Sequence, residues 1–488
     1  MYESEFLTNS PESRTSYQEW MARAIDELCR HLPAGPYSGK TAASLRQVLG
    51  GVVAEDRCSP DELWKHITAI VSESVAVTHP NTAAHLHCPP LIPALAAEVI
   101  LTALNQSMDS FDQAPAATVL EEKIVRWLCD ETGLPSQSGG VFTAGGTQSN
   151  YMALLLARDA AVERHFHWSV KKQGLPNDAR KLRILCSEVA HFTVEKSASQ
   201  LGLGTDAVVR VASDENFRMS VDALARAIGE LQARGLIPMA VVGTAGTTDF
   251  GSIDPLPQIA PLAQSAGAWF HIDAAYGSAL LFSHLHRAQL QGINSADSVS
   301  MDFHKLLWQP ISCAAFLLRN ADHFRYLKLH ADYLNPESHE ERGVPNLVTR
   351  SLATTRRFDA LKLWVSLQAI GRTRLGEMID ATLELAAHAA DFIRRSVRLE
   401  VVHEPMMGCV VFRYCPANSA IESNAFNADL QQRLFERGIA VIGHTIVRGR
   451  QYLKLTCMNP CTSKQQIAEL IELVVEHGRE LEKSRTPE

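Results

Sequence analysis

The sequence predicts an α/β fold: a mostly parallel sheet covered by helices in a large domain, an N-terminal helical segment before it, and a small C-terminal α+β domain after it. From about residue 139, short apolar runs typical of strands alternate with helical patterns, which favours a parallel sheet with helices on its faces. At 488 residues the chain is too long for one compact core. We place the three segments at residues 1–92, 93–364 and 365–488.

The N-terminal helices are predicted from apolar residues that recur every three or four positions. This spacing indicates helices near residues 20–32, 61–77 and 94–108. Prolines at both ends of residues 79–90 favour an extended loop between the second and the third of these helices.

The predicted strands of the large domain are short apolar runs. They cover residues 141–143, 182–186, 208–211, 239–242 and 268–272. Because the carboxyl ends of parallel strands meet at one edge of a sheet, a ligand is expected at that edge. Two long helices are then predicted at residues 352–370 and 375–396, and short strands with a final helix form the smaller α+β domain.

Composition excludes several classes of protein. A net charge of −8 gives no basic surface, so nucleic acid is not expected as a partner. No apolar run is long enough to span a membrane, and no signal peptide is recognisable, so we expect no membrane association and a cytoplasmic location. The ten cysteines show no paired framework; Cys457 and Cys461 lack a partner pair at zinc spacing, so no metal site is expected.

Two residues, one of them at the end of a predicted strand, have the chemistry to hold an electrophilic cofactor. Asp273 ends an apolar run, and Lys305 follows His304 further along the chain. A neutral lysine amine forms an imine with an aldehyde, and an aspartate can keep a proton on a pyridine nitrogen, which makes that ring an electron sink. Taken alone, the pair could equally be a capped strand and an unrelated surface lysine.

A glycine-rich turn follows the strand at residues 141–143. Gly145 and Gly146 let backbone N–H groups approach an anion closely, the helix that begins there adds a favourable dipole, and Thr147 can add a hydroxyl. The turn is therefore a candidate phosphate site, although such residues also form an ordinary turn with a helix cap.

Two further strand ends carry polar residues. His191 follows the strand at 182–186, where a flat imidazole could stack on an aromatic cofactor, and Thr248 follows the strand at 239–242. A lone histidine is more often structural. Four strand ends with polar groups at one edge, however, are difficult to explain by packing alone.

These motifs together resemble a known family. The motifs are Thr143-Ala-Gly-Gly-Thr-Gln-Ser-Asn150, Ala190-His191, Gly246-Thr-Thr248, His271-Ile-Asp-Ala-Ala275 and His304-Lys305. The set resembles the group II pyridoxal-phosphate-dependent amino-acid decarboxylases over nearly the whole chain, from about residue 75 onward. The resemblance implies a fold-type I PLP-dependent enzyme with pyridoxal 5'-phosphate as cofactor. It also implies a homodimer with active sites at the interface, to which residues 1–92 contribute.

The resemblance also implies a role for each matched residue. Lys305 would bind the cofactor covalently, and Asp273 would pair with its ring nitrogen. Ala275 and His191 would lie on the two ring faces. The phosphate would be held by Gly146, Thr147 and His304, and Thr248 would lie near the ring.

The sequence departs from its relatives at the residues that handle the proton and the substrate carboxylate. The loop at residues 335–350, which in relatives carries a tyrosine thought to donate a proton, contains no tyrosine. Tyr333 at its start, or His191, becomes the candidate acid. Lys454 replaces an arginine linked to the substrate carboxylate, which keeps the charge but loses the bidentate fork.

Three other departures bear on the substrate. His85 and His87 replace apolar or amide residues of relatives' pockets, and Asp109 replaces an aromatic residue. An acid at that position suits a substrate with a second amine, whereas the alternative is that Asp109 or Asp112 caps a loop. The segments 105–109 and 354–364 look most like bacterial diaminobutyrate and siderophore-pathway lysine decarboxylases.

The predicted reaction is therefore decarboxylation of L-2,4-diaminobutyrate to 1,3-diaminopropane. Lysine decarboxylation to cadaverine in a siderophore pathway is the alternative, followed by decarboxylation of an aromatic or acidic amino acid. An aminotransferase and a non-catalytic homologue are rival classes. Asp273, His191 and Lys305 together argue against the second of these.

Overall fold

The computed structural model describes residues 2–49, 57–418 and 422–485. The chain divides into two compact units, one formed by Met1–His87, His388–Val402 and Val410–Glu488, the other by Cys88–Ala387 and His403–Cys409.

The helices are α1 Pro11–His31, α2 Ala42–Leu49, α3 Pro60–Ser72, α4 Ile92–Leu104, α5 Pro115–Thr132, α6 Gly146–Phe166, α7 Val170–Gln173, α8 Thr193–Gln200, α9 Val221–Ala233, α10 Leu256–Ser265, α11 Glu337–Glu341, α12 Ala360–Ile370, α13 Arg372–Arg394, α14 Ser423–Glu436 and α15 Lys464–Arg485. The strands are β1 Thr82–Ala83, β2 Gly139–Thr143, β3 Leu182–Ser187, β4 Val208–Val211, β5 Ile237–Thr244, β6 Trp269–Asp273, β7 Ser298–Asp302, β8 Ala314–Leu318, β9 Leu399–Val401, β10 Cys409–Tyr414, β11 Val441–Val447 and β12 Arg450–Thr456.

The unit that contains residues 88–387 is built on a seven-stranded sheet in the order β2-β8-β7-β6-β5-β3-β4. Neighbouring strands from β7 to β4 are parallel, and β8 pairs antiparallel with both β2 and β7. Strands β2, β3, β5, β6 and β7 therefore all end at the same edge. The predicted α/β class, with a mostly parallel sheet, is confirmed.

Apolar residues on both partners hold the helices against this sheet. Strands β6 and β7 are buried along their whole length, as expected for strands covered on both faces. Helix α6 contributes Met152, Leu154 and Leu156, all fully buried, to the core that it shares with the strands. The helix is thereby fixed with its first residue next to the end of β2.

The other unit has a five-stranded sheet in the order β1-β11-β12-β10-β9. Strand β1 is parallel to β11, β11 is antiparallel to β12, and α14 packs on both β11 and β12. The expected α+β character of the C-terminal part is seen here, while the segment boundaries at residues 92 and 364 stay a prediction.

The helix predicted at residues 352–370 begins later than expected, at Ala360. Tertiary contacts hold the preceding residues outside the helix. The carbonyl of Arg356 accepts a hydrogen bond of 3.0 Å from the N–H of Met108, a long-range contact that a helical turn would not allow. The apolar spacing of this stretch therefore overestimated the helix.

A buried ion pair makes hydrogen bonds to the outer edge of β2, the terminal strand of the sheet. Glu121 is 1% and Arg356 7% exposed, and their side chains lie 3.0 Å apart. The Glu121 carboxylate accepts from the N–H of Phe142 at 3.0 Å, and Arg356 donates to the carbonyl of Phe142 at 3.1 Å. The pair thus satisfies the edge groups of a strand that has no neighbour on that side.

Replacing Arg356 with methionine is expected to lower the free energy of unfolding by about 3–5 kcal/mol, because the variant leaves a buried carboxylate uncompensated. Urea unfolding measures the change. The control is Arg374→Met, which breaks the surface pair Arg374–Glu377, 68% and 55% exposed, and should cost less than about 1 kcal/mol. Equal losses in the two variants would contradict the role of the buried pair.

Candidate active site

Five strands bring side chains to one cavity of about 610 Å³ at the carboxyl edge of the seven-stranded sheet. The cavity contains every residue that the resemblance assigned to the cofactor. These are Gly146, Thr147, His191, Thr248, Asp273, Ala275, His304 and Lys305. They come from the turns after β2, β3 and β5 and from the ends of β6 and β7. These residues lie close together because the strands that precede them run in the same direction and end at one edge of the sheet.

The turn between β2 and α6 needs its glycines. Gly145 has a φ of 151°, which residues with a side chain rarely adopt. A Cβ on Gly146 would lie 3.0 Å from the Cβ of Ala275 and 3.3 Å from Oδ2 of Asp302. The backbone therefore approaches the cavity closely, and the N–H groups at the start of the 21-residue helix α6 can face an anion.

Asp273 is 7% exposed, and its carboxylate is held from three sides. It accepts from Nδ2 of Asn150 at 2.7 Å, from the hydroxyl of Ser300 at 3.1 Å and from the N–H of Ala275 at 3.1 Å. Burial opposes ionisation, but the charge of Lys305 and these hydrogen bonds keep the pKa of this carboxyl below its usual value. Asp273 is therefore an acceptor held ready for a cationic N–H.

Lys305 faces a second buried acid that the sequence reasoning missed. Nζ of Lys305 lies 3.3 Å from Oδ2 of Asp302, which is 4% exposed at the end of β7. Nε2 of His304 lies 3.6 Å from the same oxygen. Burial raises the pKa of Asp302, while the charges of Lys305 and His304 oppose the rise. Its position at a strand end, like that of Asp273, was the signal that could have identified it.

The position of His304 is set by the chain beyond β7. Its Nδ1 lies 2.9 Å from the carbonyl oxygen of Cys313. Its other nitrogen, Nε2, lies on the side of Asp302 in the cavity. His304 and Lys305 thus both present nitrogen atoms next to the turn at Gly146.

His191 lies partly buried in the cavity next to α8. Burial lowers the pKa of its imidazole, so the neutral form dominates at pH 7. Its Nδ1 is 2.9 Å from the hydroxyl of Thr193, which fixes the plane of the ring.

Two predicted residues of the same unit do not line this cavity. Tyr333 is 91% exposed, and its role as a proton donor stays a prediction. Asp109 is buried, and its carboxylate accepts from the N–H of Ser110 at 2.7 Å, while Asp112 accepts from the Ser110 hydroxyl at 2.6 Å. These contacts fit the alternative that the two acids order a loop, and binding of a substrate amine by Asp109 stays a prediction.

The three remaining predicted residues, His85, His87 and Lys454, belong to the other unit. The rings of His85 and His87 lie 5.9 Å apart. Lys454, on β12, is 5% exposed. Burial, together with the charges of His87 and Lys454, lowers the pKa of His85. The three therefore form one basic group, and their role toward a substrate stays a prediction.

A fully buried histidine contacts Asn150, the residue whose amide binds Asp273. His271 donates or accepts at both ring nitrogens, 2.9 Å from Oδ1 of Asn150 and 2.9 Å from the hydroxyl of Ser298. Burial lowers the pKa of His271 to about 4. It is therefore neutral in the folded protein throughout the physiological pH range.

Stability should fall on acidification because the unfolded chain protonates this histidine first. His271 has a pKa of about 4 when folded and about 6.5 when unfolded, so its contribution is complete above pH 6.5 and is lost as pH falls toward 4. Between pH 7 and pH 5 this loss amounts to about 2 kcal/mol. We expect His271→Gln to remove that part of the pH dependence in urea unfolding. The exposed-site control His284→Gln should keep the wild-type slope, and an unchanged slope in both variants would contradict the assignment.

Among the described residues, no group of three or more His, Cys, Asp or Glu side chains is arranged to hold a metal ion. Within the same part of the chain, none of the helices has both the length and the apolar character needed to cross a bilayer.

Comparisons with known proteins agree with this geometry. The family model described as the pyridoxal-dependent decarboxylase conserved domain matches residues 46–415. An L-2,4-diaminobutyrate decarboxylase of Acinetobacter baumannii is 40% identical, with 96% of this chain and 94% of that protein covered. One of Rhizobium meliloti (strain 1021) is 41% identical, with 98% and 95% covered.

A solved structure extends the likeness to three dimensions. It is the glutamate decarboxylase domain of a diaminobutyrate-pyruvate transaminase and L-2,4-diaminobutyrate decarboxylase from Vibrio parahaemolyticus. The match has a TM-score of 0.89 and 39% sequence identity, and covers 98% of this chain and 99% of that one.

Proposed function

The chain belongs to the pyridoxal-dependent decarboxylase family, and from this premise we propose that it converts L-2,4-diaminobutyrate to 1,3-diaminopropane and CO₂. The chain is an amino-acid decarboxylase that depends on pyridoxal 5'-phosphate. The observation that carries the choice of substrate is the 40–41% identity to two diaminobutyrate decarboxylases over more than nine-tenths of each chain.

The cavity fits the cofactor. The glycine turn leaves little room for a side chain at residue 146, so its N–H groups can approach a ligand closely and, with Thr147 and His304, would hold the phosphate. Lys305 would supply the amine for covalent attachment. Asp273 would bind the ring nitrogen, and Ala275 and His191 would lie on the ring faces.

Bound in this cavity, pyridoxal phosphate would supply an electron sink for the electrons of the substrate's Cα–carboxylate bond when CO₂ leaves. Asp273 would keep the proton on the ring nitrogen, because its carboxylate is ionised and can accept a hydrogen bond from a protonated nitrogen. Asp302 takes or returns a proton at Nζ of Lys305, 3.3 Å away. Cα then regains a proton, for which His191 in the cavity or Tyr333 on the loop is the donor, so the substrate exchanges CO₂ for H⁺.

A panel of L-amino acids, assayed for CO₂ and for the amine formed, tests the choice of substrate. Diaminobutyrate should have the highest kcat/KM, and lysine, which is two methylenes longer, should be poorer by roughly tenfold or more. A preference for lysine, glutamate or an aromatic amino acid would overturn the proposal. Formation of an oxo acid instead of an amine would indicate a transaminase.

We further propose that the enzyme is a homodimer with its active sites at the interface. Helix α4 exposes apolar side chains along its length, including Leu95 at 41%, Val99 at 43% and Leu104 at 58%. In the other unit, α1 exposes Ile25 at 60% and Leu28 at 46%. A second copy of the chain would remove such faces from water. Light scattering should give twice the mass of one chain, and the mass of a single chain would refute the dimer.

We also propose that the enzyme works in the cytoplasm. All ten cysteines are free thiols, including the buried Cys129, Cys186 and Cys313. A reducing compartment suits this state. Fractionation of the cells that produce the protein would test the location, and recovery outside the cytoplasm would contradict it.

A further inference from the structure

The amide of Asn150, a residue that lines the cavity, uses its full hydrogen-bonding capacity. Asn150 is 2% exposed on the first turn of α6. Its Nδ2 donates to Asp273 at 2.7 Å and to the hydroxyl of Thr193 at 3.1 Å. Its Oδ1 lies 2.9 Å from Nε2 of His271 and 2.9 Å from the hydroxyl of Ser300, whose single hydrogen is shared between this oxygen and Asp273. No role was assigned to this residue from the sequence.

The charge of Asp273 determines which way this amide points. An ionised carboxylate only accepts hydrogen bonds, so the NH₂ group of Asn150 must face Asp273 and the oxygen must face His271. Nε2 of His271 therefore carries the hydrogen. Because that ring is neutral, its Nδ1 carries no hydrogen; it lies 2.9 Å from the hydroxyl of Ser298, which can donate to it, and 3.1 Å from the carbonyl oxygen of the same residue.

A second series of hydrogen bonds runs from Asn150 through Thr193 to His191. The Thr193 oxygen accepts from Asn150 at 3.1 Å and lies 2.9 Å from Nδ1 of His191, to which its own hydrogen can be donated. The backbone N–H of Thr193, which can only donate, also points to this nitrogen at 3.4 Å. Nδ1 is thus unprotonated, and the single hydrogen of the neutral imidazole is on Nε2.

We propose that Asn150 is a positioning residue that holds Asp273 and, through Thr193, fixes His191 as the Nε2–H tautomer. One amide thereby aligns the acid assigned to the ring nitrogen and the imidazole assigned to a ring face. His191 then presents an N–H donor rather than a lone pair on the side away from Thr193. The inference deepens the proposed function and depends on it for the placement of the cofactor against these two residues.

Nitrogen NMR of protein labelled with ¹⁵N-histidine tests the tautomer, with the His191 signals identified by their loss in His191→Gln. We expect the wild type to show the Nε2–H form both with cofactor and after its removal. Asn150→Ala should give a mixture of tautomers. It should also weaken binding of pyridoxal phosphate to the apoprotein by roughly tenfold or more, because a hydrogen bond to the charged Asp273 is lost.

A variant of Thr193 separates the effect of Asn150 on His191 from its effect on Asp273, and a variant of an exposed asparagine is the control. Thr193→Val should alter the His191 signals while it weakens cofactor binding clearly less than Asn150→Ala does, because the bond from Asn150 to Asp273 remains. Asn177→Ala, at an exposed position, should change neither measurement. If Asn150→Ala does not fold, the wild-type tautomer and Thr193→Val still decide the question.

An Nδ1–H tautomer in the wild type, or unchanged His191 signals in both Asn150→Ala and Thr193→Val, would overturn the inference. Failure of the proposed cofactor placement has a different signature. In that case Asp273→Asn and His191→Gln would leave cofactor affinity and absorbance unchanged. The tautomer measurement needs no cofactor and decides the role of Asn150 in either case.

Discussion

Replacing Lys305 with alanine is expected to remove the visible absorption of the lysine-bound cofactor and to lower kcat by roughly 10³-fold or more. The variant loses the amine nucleophile and also a proton-transfer group, which by itself is worth about 10²–10⁴-fold. Absorbance spectra and single-turnover release of CO₂ measure the two effects separately. The removed amine is the one that lies 3.3 Å from Asp302 in the cavity.

The control is Lys172→Ala, at an exposed position on α7 outside the cavity. It should keep the spectrum and the activity of the wild type. Thermal unfolding of both variants should match the wild type, so that a lost reaction is not confused with a lost fold. Full turnover by Lys305→Ala would show that another residue is the nucleophile.

Replacing Asp273 with asparagine is expected to lower kcat by about 10²–10³-fold, the size of effect seen when one preorganised electrostatic group is removed. The amide is neutral and no longer stabilises a protonated ring nitrogen. It also places donors against those of Asn150, Ser300 and Ala275, which now bond to the carboxylate. Steady-state kinetics and the absorbance of the bound cofactor measure the change.

Asp222→Asn, at an exposed position on α9, is the matched control and should have wild-type kinetics. The Asp273 variant should retain covalent attachment at Lys305, since the nucleophile is untouched. Wild-type kcat in Asp273→Asn would remove the carboxylate from the reaction. Loss of attachment in that variant would instead show that the acid acts mainly in binding.

Much of the site was predictable because its chemistry lies at strand ends. An apolar run followed by Asp273, a glycine turn before a helix and the pair His304-Lys305 are local patterns, and parallel strands must end at one edge. The order of the strands along that edge was not available from the sequence. It depends on which strands pair, and pairing is decided by long-range packing.

The sequence did not predict the roles of side chains that act through another residue. Asn150 stands in the same motif as Gly146, yet its role appears only when β6 and β7 place Asp273, His271 and Ser300 around it. Asp302 ends β7, a strand that was not among those predicted, and its relation to Lys305 depends on the turn between them. Hydrogen bonds between residues distant along the chain leave no periodic pattern in the sequence from which they could be predicted.

By itself the sequence determined the fold class, the family motifs and the residues with the chemistry for the cofactor, because each depends on local apolar spacing or on residue type. Only the tertiary structure decided where helix α12 begins, which buried groups hold Asp273 and that Asp302 faces Lys305. The physical reason is that burial depends on the packing of segments distant along the chain, and that even a contact between near neighbours such as Asp302 and Lys305 depends on the turn that this packing fixes. Arg356 shows this directly, since its contacts with Glu121 and Met108 keep residues with helical spacing out of a helix.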